Sequence, residues 1–216
     1  GVNAYAEKRV ALVIGNSAYR NVTRLQNPSN DAAVVVGMFK KAGFDSVDTR
    51  LDLTAPEMRK ALRDFGTKTR DADVAVIYYA GHGMEGNGRN WLIPTDAALA
   101  SDRDLPYEAI NLDQVMEAIE GATLRMVVLD ACRNNPFGRG WRGGTRAVSR
   151  GLGGVEADDV LVIYAAKHGS LAQDGAGANS PFTEAFVAHL QEPAVDLEDR
   201  DDVGAVGDGV CQVQGV

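Results

Sequence analysis

Four runs of this chain are apolar at every position: residues 10–14, 74–79, 126–129 and 160–164. A strand with one wet face alternates polar and apolar side chains. A run without alternation reads as a strand buried on both faces, the condition of parallel sheets covered by helices. The segments between the runs supply such helices. After Asn27-Pro28-Ser29-Asn30, residues Ala32, Val35, Val36, Phe39 and Ala42 recur at helical spacing, with Gly43 as terminator. Thr54-Ala55-Pro56-Glu57 is a capping box ahead of Met58, Leu62 and Phe65. Asn111-Leu112-Asp113-Gln114 caps a helix through Val115, Met116 and Ile119, and Asn179-Ser180-Pro181 opens a last one carrying Phe182, Ala185, Phe186 and Leu190. Residues 45–53 alternate loosely, as an edge strand does, and residues 91–94 read as a short hairpin arm. The expected class is α/β, a mostly parallel central sheet flanked by helices on both faces.

At 216 residues the chain buries one substantial core, and no linker-like composition divides it before about residue 190. One domain over 1–190 with a tail over 191–216 is the expected organisation. The tail is Gly, Val and Asp with few bulky residues, so pairing as an edge strand, swapping with a neighbour and disorder all remain open for it. A hydrophobic fraction of 45% and a charged fraction of 24% suit an ordinary globular protein, and no apolar run approaches the length that spans a bilayer. The formal net charge of −8 argues against nucleic acid as a partner, since phosphate binding needs clustered cations. Cys132 and Cys211 stand too far apart for zinc-ligand spacing, and they make no disulfide framework. Ala4-Tyr5-Ala6 resembles the end of a secretory signal without the apolar segment that precedes one, so a periplasmic or secreted location is the expectation and a cytoplasmic one its alternative.

Two of the apolar runs lead directly into reactive side chains. Residues 74–79 continue as Ala80-Gly81-His82-Gly83, and residues 126–129 as Asp130-Ala131-Cys132-Arg133. In open α/β sheets the functional crevice lies beyond the carboxyl ends of the strands, so adjacent strands ending this way bring His and Cys to one rim. A thiol there, with a base in reach and polar neighbours, is a candidate nucleophile rather than an inert core cysteine. The glycines beside His82 leave room for a substrate backbone. His168, in a Gly/Ser loop, and His189, in the last helix, are weaker candidates. Residues 133–154 are rich in Gly and Arg without apolar periodicity, and so long an unpatterned stretch inside a domain is usually functional or mobile.

These segments identify a resemblance. Asp130-Ala131-Cys132 with His82 fifty positions upstream matches the caspase pattern of a Cys motif and a distant His. Residues 8–190 resemble the caspase-like clan of cysteine peptidases and look closest to bacterial members grouped with metacaspases and paracaspases. The supporting segments are the strand over residues 10–16, Asn30-Asp31-Ala32, Leu92-Ile93-Pro94-Thr95-Asp96 and Ser180-Pro181-Phe182-Thr183. The resemblance implies a caspase-like three-layer sandwich with Cys132 as nucleophile, His82 as acid and base, and the amides of Gly83 and Cys132 as an oxyanion hole. Metacaspases and paracaspases cleave after Arg or Lys, and their acidic pocket positions match Asp130 and Asp31 here. Asp174 is a further candidate for the pocket wall. The alternative role for Asp31 is a first-turn carboxylate facing a helix dipole. Caspases proper select Asp with an Arg-lined pocket; Arg133 and Arg20 are the available cations, but Asp130 beside the nucleophile argues for basic substrates.

The expected partners are therefore proteins or peptides with basic residues. No cofactor is expected; calcium, which some metacaspases need, stays open without an EF-hand spacing to support it. The region after Cys132 corresponds to the linker that caspases cut on activation, which makes Arg146 and Arg150 expected self-cleavage sites, against the alternative of a merely exposed basic loop. A caspase-like scaffold without activity is the competing function. A flavodoxin-like nucleotide binder is disfavoured, because Gly15-Asn16-Ser17-Ala18 is too short for a phosphate loop.

Overall fold

The computed structural model describes residues 7–132, 135–138, 141, 160–165, 177–190 and 211–214, with Cys132, residues 189–190 and residues 211–214 defined by their backbone. In chain order the strands are β1 (Arg9–Gly15), β2 (Ser46–Leu51), β3 (Val74–Gly86), β4 (Arg89–Leu92), β5 (Ile110–Asn111), β6 (Leu124–Cys132), β7 (Val160–Ala165) and β8 (Cys211–Gln214). The helices are α1 (Pro28–Lys41), α2 (Ala55–Thr69), α3 (Leu105–Glu108), α4 (Leu112–Glu117) and α5 (Pro181–Leu190). All four apolar runs are strands of one sheet ordered β2-β1-β3-β6-β7-β8. Its pairings are parallel up to β7, and β8 adds antiparallel at the edge.

The unbroken apolar runs are explained by helices on both faces. Along β3, Ala75, Ile77 and Tyr79 pack with Met58 and Phe65 of α2 and Val115 of α4. Val76, Tyr78 and Ala80 turn the other way, onto Val35 and Phe39 of α1 and Phe182 and Phe186 of α5. Burying each such side chain contributes about 1.5–3 kcal/mol, so one central strand uses both of its faces to hold two helical layers. The result is the expected three-layer α/β sandwich.

Local signals hold where they were strongest. Glu57 accepts hydrogen bonds from the Thr54 amide at 2.9 Å and the Thr54 hydroxyl at 2.6 Å, closing the first turn of α2. Asn111 Oδ1 accepts from the Asp113 amide at 3.0 Å to start α4. Gly43, at φ 78°, takes the left-handed step that ends α1. The hairpin arm forms from β4, which folds back on β3 and pairs β5 on its other side. Its strand stops at Leu92, short of Pro94, which has no N–H to give a ladder. The α4 helix also ends sooner than expected, at Glu117: the Ile119 amide bonds the Met116 carbonyl at 3.0 Å, an i to i−3 bond that tightens the chain out of α geometry.

Two strands run past their apolar segments. β3 continues to Gly86 because it keeps backbone partners beyond Ala80, first β6 and then β4. β6 continues to Cys132 for the same reason. His82 therefore sits within a strand rather than just after one.

Candidate active site

His82 and Cys132 are ladder partners. The parallel register of β3 and β6 runs from Val74 opposite Leu124 to His82 opposite Cys132, where the pairing stops. Neighbouring strands lie about 4.8 Å apart, and ladder partners share one face of the pleat. By the two-residue alternation that face is the one Tyr78 and Val128 present to α1 and α5.

The imidazole is held from the loop between β1 and α1. Its Nε2 lies 2.8 Å from the Thr23 carbonyl oxygen. A carbonyl only accepts, so Nε2 carries a proton and, in the neutral ring, the basic lone pair belongs to Nδ1. The Tyr19 ring packs beside the imidazole with centroids 4.5 Å apart. His82 uses both of its backbone groups on the β1/β4 side, its N–H to Tyr19 and its C=O to Ile93. The alternation then turns the Gly83 N–H toward β6, the side on which Cys132 ends.

The two expected acids meet at one residue. The Ser180 amide donates to Asp31 Oδ1 at 2.8 Å, and the Ser180 hydroxyl donates to Asp130 Oδ2. Asn179 Nδ2 adds a second bond to Asp31 Oδ1 at 2.9 Å, and the Thr183 hydroxyl a second to Asp130 Oδ2 at 3.1 Å. Ser180 Oγ in turn accepts from the Thr183 amide at 3.0 Å, capping α5. Thr183 Oγ1 lies 2.6 Å from the Tyr78 hydroxyl. Burial, and then the charge of Asp130, push the Tyr78 phenol well above its ordinary pKa, so it stays protonated beside the carboxylate. Asp31 does occupy the first turn of α1, but its bonds go to the start of α5. Its side chain ties two helices together, and the dipole of its own helix is not its only structural role.

The remaining candidates divide plainly. Arg20 is exposed, its amide bonded to the Thr95 carbonyl at 2.9 Å. His189 is in α5. Arg133, Arg146, Arg150, His168 and Asp174 lie outside the described residues. Gly81 corrects one expectation: a Cβ there would stand 2.6 Å from both the Tyr19 and Tyr79 hydroxyls, so this glycine makes room for two phenols rather than for substrate. A groove of about 710 Å³ between α2 and α4, lined by Arg59, Arg63 and Arg70, lies on the face of the sheet opposite Asp130 and holds none of the candidate residues.

Sequence reasoning missed Tyr19, Thr23 and Tyr78 as parts of this site, and it saw Ser180 and Thr183 only as elements of a motif. Asn179-Ser180-Pro181 did mark a helix start, yet nothing local shows that its hydroxyl reaches a carboxylate 50 residues away.

A family model described as the caspase domain matches residues 8–206. The chain belongs to the caspase family. This caspase domain is 33% identical over 128 residues to mucosa-associated lymphoid tissue lymphoma translocation protein 1 of Homo sapiens, covering 59% of the chain and 15% of that protein. It is 31% identical over 128 residues to the Mus musculus homolog, with the same coverage. The chain thus spans about 15% of the length of the curated relatives it matches. Both are mammalian, so the expected nearness to bacterial members rests on the motifs alone. At the level of its family the caspase domain is a cysteine peptidase, with proteins as its substrate class. Among the described residues no helix is long and apolar enough to cross a membrane.

Proposed function

We propose that the chain is a cysteine endopeptidase in which Cys132 is the nucleophile and His82 the acid and base, cutting after Arg or Lys. The observation that carries this reading is the ladder pairing of His82 with Cys132 at the end of β6, with two carboxylates gathered at Ser180 on the same side of the sheet. The thiol passes its proton to His82 Nδ1, while the Thr23 carbonyl accepts from Nε2–H and steadies the imidazolium that results. The thiolate attacks the scissile carbonyl carbon. The oxygen of the tetrahedral intermediate takes the negative charge; the amides of Gly83 and Cys132, which the resemblance makes its donors, are turned to the β3–β6 ladder and would have to leave it to meet that oxygen. His82 then gives its proton to the leaving amine, and the thioester is hydrolysed by a water that the same ring deprotonates. No step of this sequence calls for a cofactor.

Specificity follows from charge. A guanidinium leaving water needs carboxylate partners, and its planar donors suit a carboxylate better than an ammonium does. Asp31, at 1% exposure, acts from behind by holding α5, whereas half-buried Asp130 is the acid that a substrate can touch. Asp174 would complete the pocket wall. Profiling cleavage of a peptide library tests the reading: Arg is expected at the cleavage position, then Lys, with little after Asp. A preference for Asp would overturn the acidic pocket.

The same specificity reaches the chain itself. Residues 133–154 hold Arg133, Arg139, Arg142, Arg146 and Arg150 and continue directly from the nucleophile. A tethered segment has a high effective concentration at its own site, so an Arg-directed peptidase is expected to cut after Arg146 and Arg150. Intact-mass spectrometry of the wild-type and Cys132→Ala proteins decides this. Nicking confined to the wild type supports self-processing, and identical intact masses refute it.

A further inference from the structure

The backbone at His82 meets a structural problem that a loop side chain solves. β1 pairs with β3 only as far as Gly15 opposite Ala80, and the chain then turns away after Asn16, whose amide makes a last bond to the Ala80 carbonyl at 2.9 Å. By the two-residue alternation the next β3 residue presenting backbone groups to that edge is His82. Its carbonyl is taken by the Ile93 amide at 3.0 Å and the Tyr79 hydroxyl at 2.8 Å. Its N–H lies past the end of the β1 pairing, in a buried place. The Tyr19 hydroxyl stands there instead, accepting from the His82 amide at 2.8 Å and donating to the Ile93 carbonyl at 3.2 Å. Tyr19 is 2% exposed, lies 3.2 Å from the Tyr79 hydroxyl, and sets its ring against the imidazole.

We infer that Tyr19 is a positioning residue for His82, its hydroxyl replacing the carbonyl of the departed strand and its ring fixing the plane of the imidazole. Three independent contacts from one loop converge on this residue: the hydroxyl on the backbone, the aromatic face on the ring and the Thr23 carbonyl on Nε2. Gly81 belongs to the same device, since any side chain there would collide with both phenol oxygens. Removing the hydroxyl takes this acceptor from a buried amide, and the end of β3 then shifts and carries the imidazole away from its register with Cys132. Displacements near 1 Å at a reacting group cost on the order of 100-fold in rate.

This inference rests on the reading of His82 and Cys132 as a dyad, and the test separates the two. The pH dependence of Cys132 alkylation by iodoacetamide reports the thiolate, which a neighbouring imidazolium favours. In the full chain, Tyr19→Phe keeps the ring and removes the hydroxyl. With circular dichroism showing a folded protein, kcat on an Arg peptide is expected to fall about 10- to 100-fold with KM within about twofold, and the alkylation curve to move up by about one pH unit. His82→Ala supplies the reference curve. If His82→Ala leaves alkylation unmoved, the dyad reading falls and the inference with it. If His82→Ala moves the curve and Tyr19→Phe does not, or lowers only the melting temperature, the role given to Tyr19 alone is wrong. Should Tyr19→Phe fail to fold, Gly81→Ala pushes a methyl into the space of both hydroxyls and is expected to raise the curve in the same direction; an unshifted curve in that variant overturns the inference.

Discussion

Cys132→Ala will reduce peptide hydrolysis to background in a chain that remains folded, and His82→Ala will lower kcat by about 100- to 10,000-fold, the usual contribution of a positioned acid and base. The two residues pair directly across the β3–β6 ladder, and no other described histidine lies on a strand facing β6. The effects are separable from folding. Cys132 is the last paired residue of its strand, and its backbone bonds survive the substitution. His82→Ala keeps its backbone bonds to Tyr19 and Ile93 but leaves the Thr23 carbonyl without the imidazole, at about 1–3 kcal/mol. A melting curve beside the initial rates accounts for that cost. Unchanged turnover in either folded variant would remove that residue from the chemistry.

Asp130→Asn is expected to lower kcat/KM for Arg substrates by about 10- to 150-fold, the loss of one charge-assisted hydrogen bond worth 1.5–3 kcal/mol. The variant is nearly isosteric. Its amide oxygen can still accept from the Ser180 and Thr183 hydroxyls, so the start of α5 should stay in place. Alkylation of Cys132 should change less than about twofold, because the substitution weakens recognition of the side chain rather than the nucleophile. Equal losses for Arg peptides and for alkylation would mean that Asp130 supports the thiol instead of the substrate.

Much of this molecule could be read along the chain because burial on two faces writes itself into consecutive residues. Residues 10–14 and 74–79 are short, unbroken and rich in β-branched and aromatic side chains, which reads as interior strands, and Thr54 with Glu57 closes its own helix within four residues. The spacing of His82 and Cys132 and their position after apolar runs carried the family and the candidate dyad. Strand ends were less legible. β3 and β6 outlast their apolar segments because backbone pairing with a neighbour, invisible in either strand alone, continues through Gly81 and His82.

The sequence by itself determined the layered α/β class and the helices with strong caps, and it singled out the two candidate residues His82 and Cys132, since each depends on signals that are local or periodic. Only the tertiary structure decided which atoms surround those residues. Thr23 meets His82 across 59 positions, Tyr19 across 63, and Ser180 joins Asp31 and Asp130 across 149 and 50. A single hydrogen bond between distant residues imposes no period and no composition on the chain between them, so it becomes visible when the sheet brings those residues together.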